Sequence, residues 1–126
     1  MQRDEYNEWC YASLEDVKSN FKKASLTDYA IFIKGDVEET LTKTSNLPNN
    51  GISLLRLDTD FYESTKVELN VLYPMLSVRG VCLLDDYGTW KGQKKAVDEY
   101  FNQPSFINNK PLISVVDTGG RSLIKL

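Results

Sequence analysis

The apolar positions of this chain recur in two alternating rhythms, one of about 3.6 residues and one of short continuous runs. Ser13-Leu14-Glu15-Asp16 has the form of a capping box, and Leu14, Val17 and Phe21 then repeat at helical spacing with Lys22-Lys23 behind them, which predicts a helix over about 13–23. Tyr29 to Lys34 is a short apolar run rich in β-formers that stops at Gly35 and predicts a strand. Asp36-Val37-Glu38-Glu39-Thr40-Leu41 restarts helix at once, with its acids in the first turn where the macrodipole favours them. Ser45 to Gly51, containing Pro48-Asn49-Asn50-Gly51, is the clearest turn signal in the chain.

The second half repeats the alternation. Ile52 to Leu57 is a nearly continuous apolar run broken by Arg56, the pattern of a strand buried on both faces in a parallel sheet, and it ends on Asp58-Thr59-Asp60. A helix is predicted from about Glu63, with Val67, Val71 and Leu72 on one face and Pro74 at its end. Gly80 opens the strand Val81 to Leu84, which ends on Asp85-Asp86. Gln93 to Phe101 reads as helix, with Ala96, Val97 and Tyr100 at core spacing. Ile113 to Val116, Thr118-Gly119-Gly120 and Ser122 to Leu126 predict a closing β-hairpin. Strand and helix in alternation predict an α/β fold whose sheet is mostly parallel, with right-handed crossovers and one antiparallel hairpin at the C-terminal edge.

Composition sets bounds on this picture. At 126 residues and 14.4 kDa the chain is expected to form a single α/β domain. A charge of −3 and a pI near 5.0 provide no general field for polyanions, so nucleic acid and anionic membrane are not expected partners. No apolar run is long enough for a membrane span and the first residues are too polar for a signal peptide, which makes the cytoplasm the default location. Cys10 and Cys82 show no metal or redox spacing, and Cys82 sits in an apolar run as a small buried hydrophobe. The absence of histidine excludes Ser-His-Asp and Cys-His catalysis built within this chain, and any His-ligated metal. A metal here would be held by oxygen.

Candidate chemistry follows from the strand ends. In open α/β sheets ligands sit beyond the carboxyl ends of the strands, where both acidic pairs fall. Neighbouring parallel strands lie about 4.8 Å apart, so carboxylates on two adjacent tips can converge on one hard cation such as Mg²⁺, Ca²⁺ or Mn²⁺. The competing reading is that these acids cap the helices that follow each strand, a role that suits Asp60 best.

The stretch Leu55-Arg56-Leu57-Asp58-Thr59-Asp60-Phe61-Tyr62-Glu63-Ser64-Thr65, then Leu72-Tyr73-Pro74, Leu76-Ser77, Leu84-Asp85-Asp86-Tyr87-Gly88, Trp90, Gly92 and Ala96-Val97-Asp98, resembles the macrocin O-methyltransferase family over about residues 30–101. The resemblance implies a partial class I methyltransferase (Rossmann-like) sheet and S-adenosylmethionine-dependent O-methylation of a hydroxyl on a sugar or sugar-bearing natural product. It implies Mg²⁺ as a second cofactor, with Asp58, Asp85 and Asp86 as its ligands. Asp58, beside the acceptor oxygen, is the candidate general base. Gly35, Asp36 and Val37 match the turn that closes over the adenine of S-adenosylmethionine; the alternative there is an ordinary turn with Asp36 as N-cap. Trp90 is read either as a wall of the site or as packing.

The chain also departs from the family pattern. Its seven glycines contain no GxGxG turn, and the first predicted helix corresponds to the one after the family's second strand. The 126 residues are therefore expected to be the C-terminal part of a methyltransferase domain, lacking strands 1 and 2 of the order 3-2-1-4-5-7-6. Unpaired edges left by those strands lead to an expectation of homo-oligomers. Two further readings stand beside the enzyme: a noncatalytic binding module of the same fold, and a nucleotide-sugar transferase using Asp58-Thr59-Asp60 as its DxD.

Overall fold

The computed structural model describes residues 11–43, 47 and 51–126. The turn expected over 45–51 lies outside the described residues apart from Leu47 and Gly51, as does Cys10. The chain divides into two compact units, 1–34 and 35–126.

In the first unit, α1 (Leu14–Lys23) forms as its pattern predicts. The Ser13 hydroxyl accepts from the Asp16 amide at 3.0 Å and the Asp16 carboxylate accepts from the Ser13 amide at 3.3 Å, so the capping box satisfies two N–H groups that no helical turn could. The strand expected over 29–34 does not form. Thr27–Tyr29 is a single 3₁₀ turn, and residues 30–34 join no ladder among the described residues. β-Propensity favours an extended backbone but supplies no inter-strand hydrogen bonds, and without a neighbour the run stays irregular. Phe32 packs edge to face on Phe21 at 5.1 Å, while Tyr29 and Ile31 are exposed.

The second unit holds α2 (Val37–Lys43), β1 (Ile52–Leu57), α3 (Tyr62–Leu72), β2 (Leu76–Leu84), α4 (Lys91–Phe101), β3 (Ser114–Val115) and β4 (Arg121–Ile124). The four strands make one sheet in the order β1-β2-β4-β3. β1 and β2 are parallel; β2 with β4 and β4 with β3 are antiparallel. The sheet is therefore mixed and not mostly parallel, because without a 29–34 strand only one parallel pair remains.

Burial along β1 alternates, with Leu55 and Leu57 buried and Leu54 59% exposed, where burial on both faces was expected. The reason is that α3 and α4 pack together on one face only, and Leu69 from α3 with Val97 and Phe101 from α4 close over Leu55, Leu57, Cys82, Leu84 and Leu123. Tyr73, Tyr100, Phe101 and Phe106 extend this core as an aromatic cluster with ring centroids 5.0–6.1 Å apart. Cys82 lies within the core as expected, and burial pushes its thiol up to about 12, which leaves it an inert hydrophobe. Among the described residues no helix is long and apolar enough to cross a membrane.

β2 begins at Leu76, earlier than the expected Gly80, and its register against β1 jumps between Ile52 and Leu54. Arg79 takes φ 67° in this irregular stretch. Lys125, beside this stretch just past the end of β4, secures it further, its ammonium donating to the carbonyls of Tyr73, Pro74 and Leu76 at 3.1, 3.0 and 2.7 Å. The expected hairpin closes through Asp117, whose Oδ1 accepts from the amides of Gly119 and Gly120.

That turn abuts the loop after β2. The Gly88 amide donates to the Gly119 carbonyl at 2.8 Å, and a Cβ at Gly88 would run into the Thr118 carbonyl. Gly88→Ala is expected to cost about 1–3 kcal/mol, the range of an overpacked site. Urea unfolding of the variant against the native chain measures it, and an unchanged midpoint would show that the two loops are not held together.

Candidate functional site

The site begins where the parallel ladder ends. β1 and β2 stay in register to their last residues, Leu57 opposite Leu84, and the Asp85 amide still donates to the Leu57 carbonyl at 3.0 Å. Both chains of acids therefore leave the sheet side by side. Asp60 takes φ 64°, a left-handed conformation that costs most side chains energy and that aspartate tolerates better than most. Carboxylate oxygens of Asp58, Asp60 and Asp86 come within 4.8 Å of one another.

Asp85 is drawn elsewhere. The Arg56 guanidinium donates to Asp85 Oδ1 from Nη2 at 2.7 Å and from Nε at 3.1 Å, and its Nη2 also lies 3.0 Å from Asp58 Oδ2. Of the three sequence-predicted ligands, Asp58 and Asp86 are thus brought together, while Asp85 sits beside them as the partner of a cation already in the chain. The hydrogen bond to Asp85 raises Arg56 further above its ordinary value, with the charge of Asp58 adding to it.

The electrostatics record a surplus of negative charge. Partial burial, then the hydrogen bond and charge of Asp60, push Asp86 up to about 6. Desolvation also raises Asp58, opposed by Arg56 and reinforced by Asp85. Three oxygen donors of this kind, with no sulfur or imidazole among them, suit a hard divalent cation.

The capping alternative does not describe these aspartates. The N-caps of α3 and α4 are Phe61 and Trp90, neither with a side-chain cap bond. Asp36, by contrast, does cap: its Oδ1 accepts from the Glu38 amide at 2.9 Å at the start of α2. Gly35 stands at φ 145°, a conformation that side chains rarely adopt, and a Cβ there would lie 2.7 Å from Thr40 Cγ2. Trp90 is about half exposed.

Two buried polar side chains behind the acids were not singled out from sequence. Glu68 of α3, 5% exposed, accepts from Thr59 Oγ1 at 2.9 Å, and Ser64 Oγ donates to the Thr59 carbonyl at 3.3 Å, so α3 grips the middle of Asp58-Thr59-Asp60. Gln93 of α4, fully buried, accepts from the Asp86 amide at 2.9 Å and donates to the Leu57 carbonyl at 3.4 Å. A signal existed for both. Gln93 precedes Ala96 and Val97 by three and four residues and shares their inward stripe, and Glu68 stands four residues after Ser64 beside Leu69.

Comparison with known proteins identifies the family and the fold. The macrocin-O-methyltransferase (TylF) family model matches residues 1–120. Demethyldecarbamoylnovobiocin O-methyltransferase of Streptomyces niveus is 40% identical over 89 residues, 70% of this chain and 33% of the relative. The 8-demethyl-8-(2,3-dimethoxy-alpha-L-rhamnosyl)-tetracenomycin-C 4'-O-methyltransferase of Streptomyces olivaceus is 36% identical over 88 residues, 69% of this chain and 33% of the relative. The solved structure of the O-methyltransferase NovP superposes with a TM-score of 0.71 at 30% identity, covering 90% of this chain and 45% of that one. An O-methyltransferase from Bacillus cereus, solved in complex with SAH, matches with a TM-score of 0.60 at 14% identity, over 91% of this chain and 60% of that one, a likeness of fold alone. The α/β fold is that of the class I S-adenosylmethionine-dependent methyltransferases. The chain spans about a third of the length of the curated relatives it matches.

Burial pushes Glu68 from 4.5 up to about 7 against the opposing hydrogen bond from Thr59. The folded state therefore holds a proton that the unfolded chain releases between those values, and the associated stability is present below pH 4.5 and lost as pH rises through 7. Glu68→Gln keeps an acceptor for Thr59 and removes the titration. The unfolding free energy of the variant relative to the native chain is expected to rise by on the order of 2 kcal/mol between pH 5 and 8. Denaturant titrations at the two pH values check this, and a constant difference would mean that Glu68 titrates normally.

Proposed function

Because the chain belongs to the macrocin O-methyltransferase family, we propose that it carries the cation-binding and acceptor-binding part of a Mg²⁺- and S-adenosylmethionine-dependent enzyme that methylates a hydroxyl of a sugar or sugar-bearing natural product. The observation that carries this reading is the convergence of Asp58, Asp60 and Asp86 within 4.8 Å at adjacent strand ends. Holding three carboxylates so close without a cation is unfavourable, and an all-oxygen set fits Mg²⁺. Asp58, Asp60 and Asp86 would hold the ion, with Asp85 available beside them wherever Arg56 releases it. When bound, Mg²⁺ supplies the charge that makes an acceptor hydroxyl more acidic.

The chain's own groups do the rest. Asp58 Oδ would take the proton from the acceptor hydroxyl, which would be held beside it at the ion. Arg56 holds the orientation of both Asp58 and Asp85. Gly35, Asp36 and Val37 form the wall proposed for the adenine of S-adenosylmethionine, with one oxygen of Asp36 committed to capping α2. Trp90 and Phe61, exposed at the helix starts beside the acids, offer flat apolar surface of the kind that sugar rings and their aglycones bind. The order β1-β2-β4-β3 corresponds to the 4-5-7-6 portion of the sheet that the family resemblance implies.

A noncatalytic binding module of the same fold is the second reading, favoured by one observation: none of the seven glycines belongs to a GxGxG turn.

Isothermal titration separates these readings. The native chain is expected to bind Mg²⁺, and Asp58→Asn and Asp86→Asn each to weaken it by about tenfold or more, the scale of one lost charged contact. Asp85→Asn is expected to cost less, since Arg56 already engages that carboxylate. Unchanged affinity in the Asp58→Asn/Asp86→Asn double variant would rule out this site. S-adenosylmethionine is expected to bind weakly and more tightly with Mg²⁺ present; no binding under either condition favours the noncatalytic module. Among the described residues β1 is the last strand on its side of the sheet and carries an exposed Leu54, so self-association is expected, and a strict monomer in sedimentation equilibrium would contradict it.

A further inference from the structure

We propose that Gln93 is a positioning residue whose buried amide bridges the ends of β1 and β2 and sets the separation of Asp58 from Asp86. The inference rests on the reading of the acidic cluster as a cation site and names the part of the chain that gives the cluster its dimensions.

The ladder between β1 and β2 supplies its last backbone bond at Leu57 and Asp85. Asp58 and Asp86 lie one residue further on each side, past the last rung. Without another link their spacing would drift, since each follows a strand end into a loop and the two carboxylates repel. Gln93 provides that link. Its Oε1 accepts from the Asp86 amide at 2.9 Å and its Nε2 donates to the Leu57 carbonyl at 3.4 Å, so one side chain from α4 adds a rung that the backbone does not make.

The chemistry of this rung is narrow. The position requires an acceptor for an N–H and a donor for a C=O on the same planar group, with no net charge, in a place with 0% exposure. Glutamate keeps the acceptor, loses the donor and adds charge to a site that already has too much. Leucine fills the volume and leaves a buried N–H without its acceptor. Asparagine has the amide but is one methylene too short to reach both groups from α4. Partners that orient metal ligands from behind typically change metal affinity by about 10–100-fold when removed.

The test uses Mn²⁺ as the probe, with free ion followed by electron paramagnetic resonance in the full chain. Gln93→Leu and Gln93→Glu are expected to weaken Mn²⁺ by about tenfold or more. Val97→Ala, which trims a core residue of the same helix without touching the rung, serves as the stability control and is expected to stay within about twofold of native, because cluster geometry and not general stability sets affinity. Amide spectra of each variant verify that it is folded. Native affinity in folded Gln93→Leu overturns the role of Gln93 while leaving the cation site standing. An equal loss in Val97→Ala also overturns it, since general loosening would then account for both. No Mn²⁺ binding by the native chain overturns the cation reading itself, and this inference with it.

Discussion

Like charges at the end of a parallel strand pair are the constraint around which the second unit is arranged. Two strands in register bring their exit residues within a few ångströms, and this chain puts acids at both exits. Carboxylates in such proximity repel, and partial burial makes the repulsion harder for water to screen. Every structural feature near the strand ends bears on that problem. Arg56 draws Asp85 aside and steadies Asp58, Asp60 adopts a left-handed backbone, and α3 and α4 send buried polar groups to the loop and the strand ends.

The hydrophobic core and the polar contacts behind the acids share two helices but do different work. Leu69, Val97 and Phe101 hold α3 and α4 against the sheet, and the same helices carry Glu68 and Gln93 to the strand ends. Apolar packing is strong and has no preferred direction, whereas the two polar contacts are weaker and directional. The first presses the helices onto the strands, and the second selects the rotation at which the acids meet. Gly92 belongs to the same fit, because a Cβ there would come within 2.9 Å of the Tyr62 amide and force α4 away from the start of α3.

Strand composition and strand formation part company in this chain. Among the described residues the run 29–34 has the composition of a strand and finds no ladder, and β1 is the last strand on its side of the sheet. Both facts accompany a chain that spans about a third of the length of its curated relatives. The acidic cluster nevertheless assembles, because its contacts all lie within β1, α3, β2 and α4, a set contiguous in sequence and packed on itself.

Periodicity alone determined the order of helices and strands over 52–126, since apolar spacing reports local geometry that the backbone must satisfy wherever it sits. It also located the acids at the strand ends, and the quoted motifs were dense enough to identify the family. It could not determine the sheet's composition, because strand formation at 29–34 depended on a hydrogen-bonding neighbour and not on the run's own residues. Nor could it rank the four aspartates. Asp58, Asp60 and Asp86 converge while Asp85 pairs with Arg56, and neither the positive φ at Asp60 nor that arginine contact can be read from spacing. Asp36 shows the same limit: the sequence allowed a cap or a ligand wall, and only the fold showed that one of its oxygens caps α2. The roles of Glu68 and Gln93 lay furthest from view. Their inward stripes were legible, but what a buried polar side chain bonds to depends on which backbone groups a different element leaves unpaired, and only the packed tertiary structure decides that.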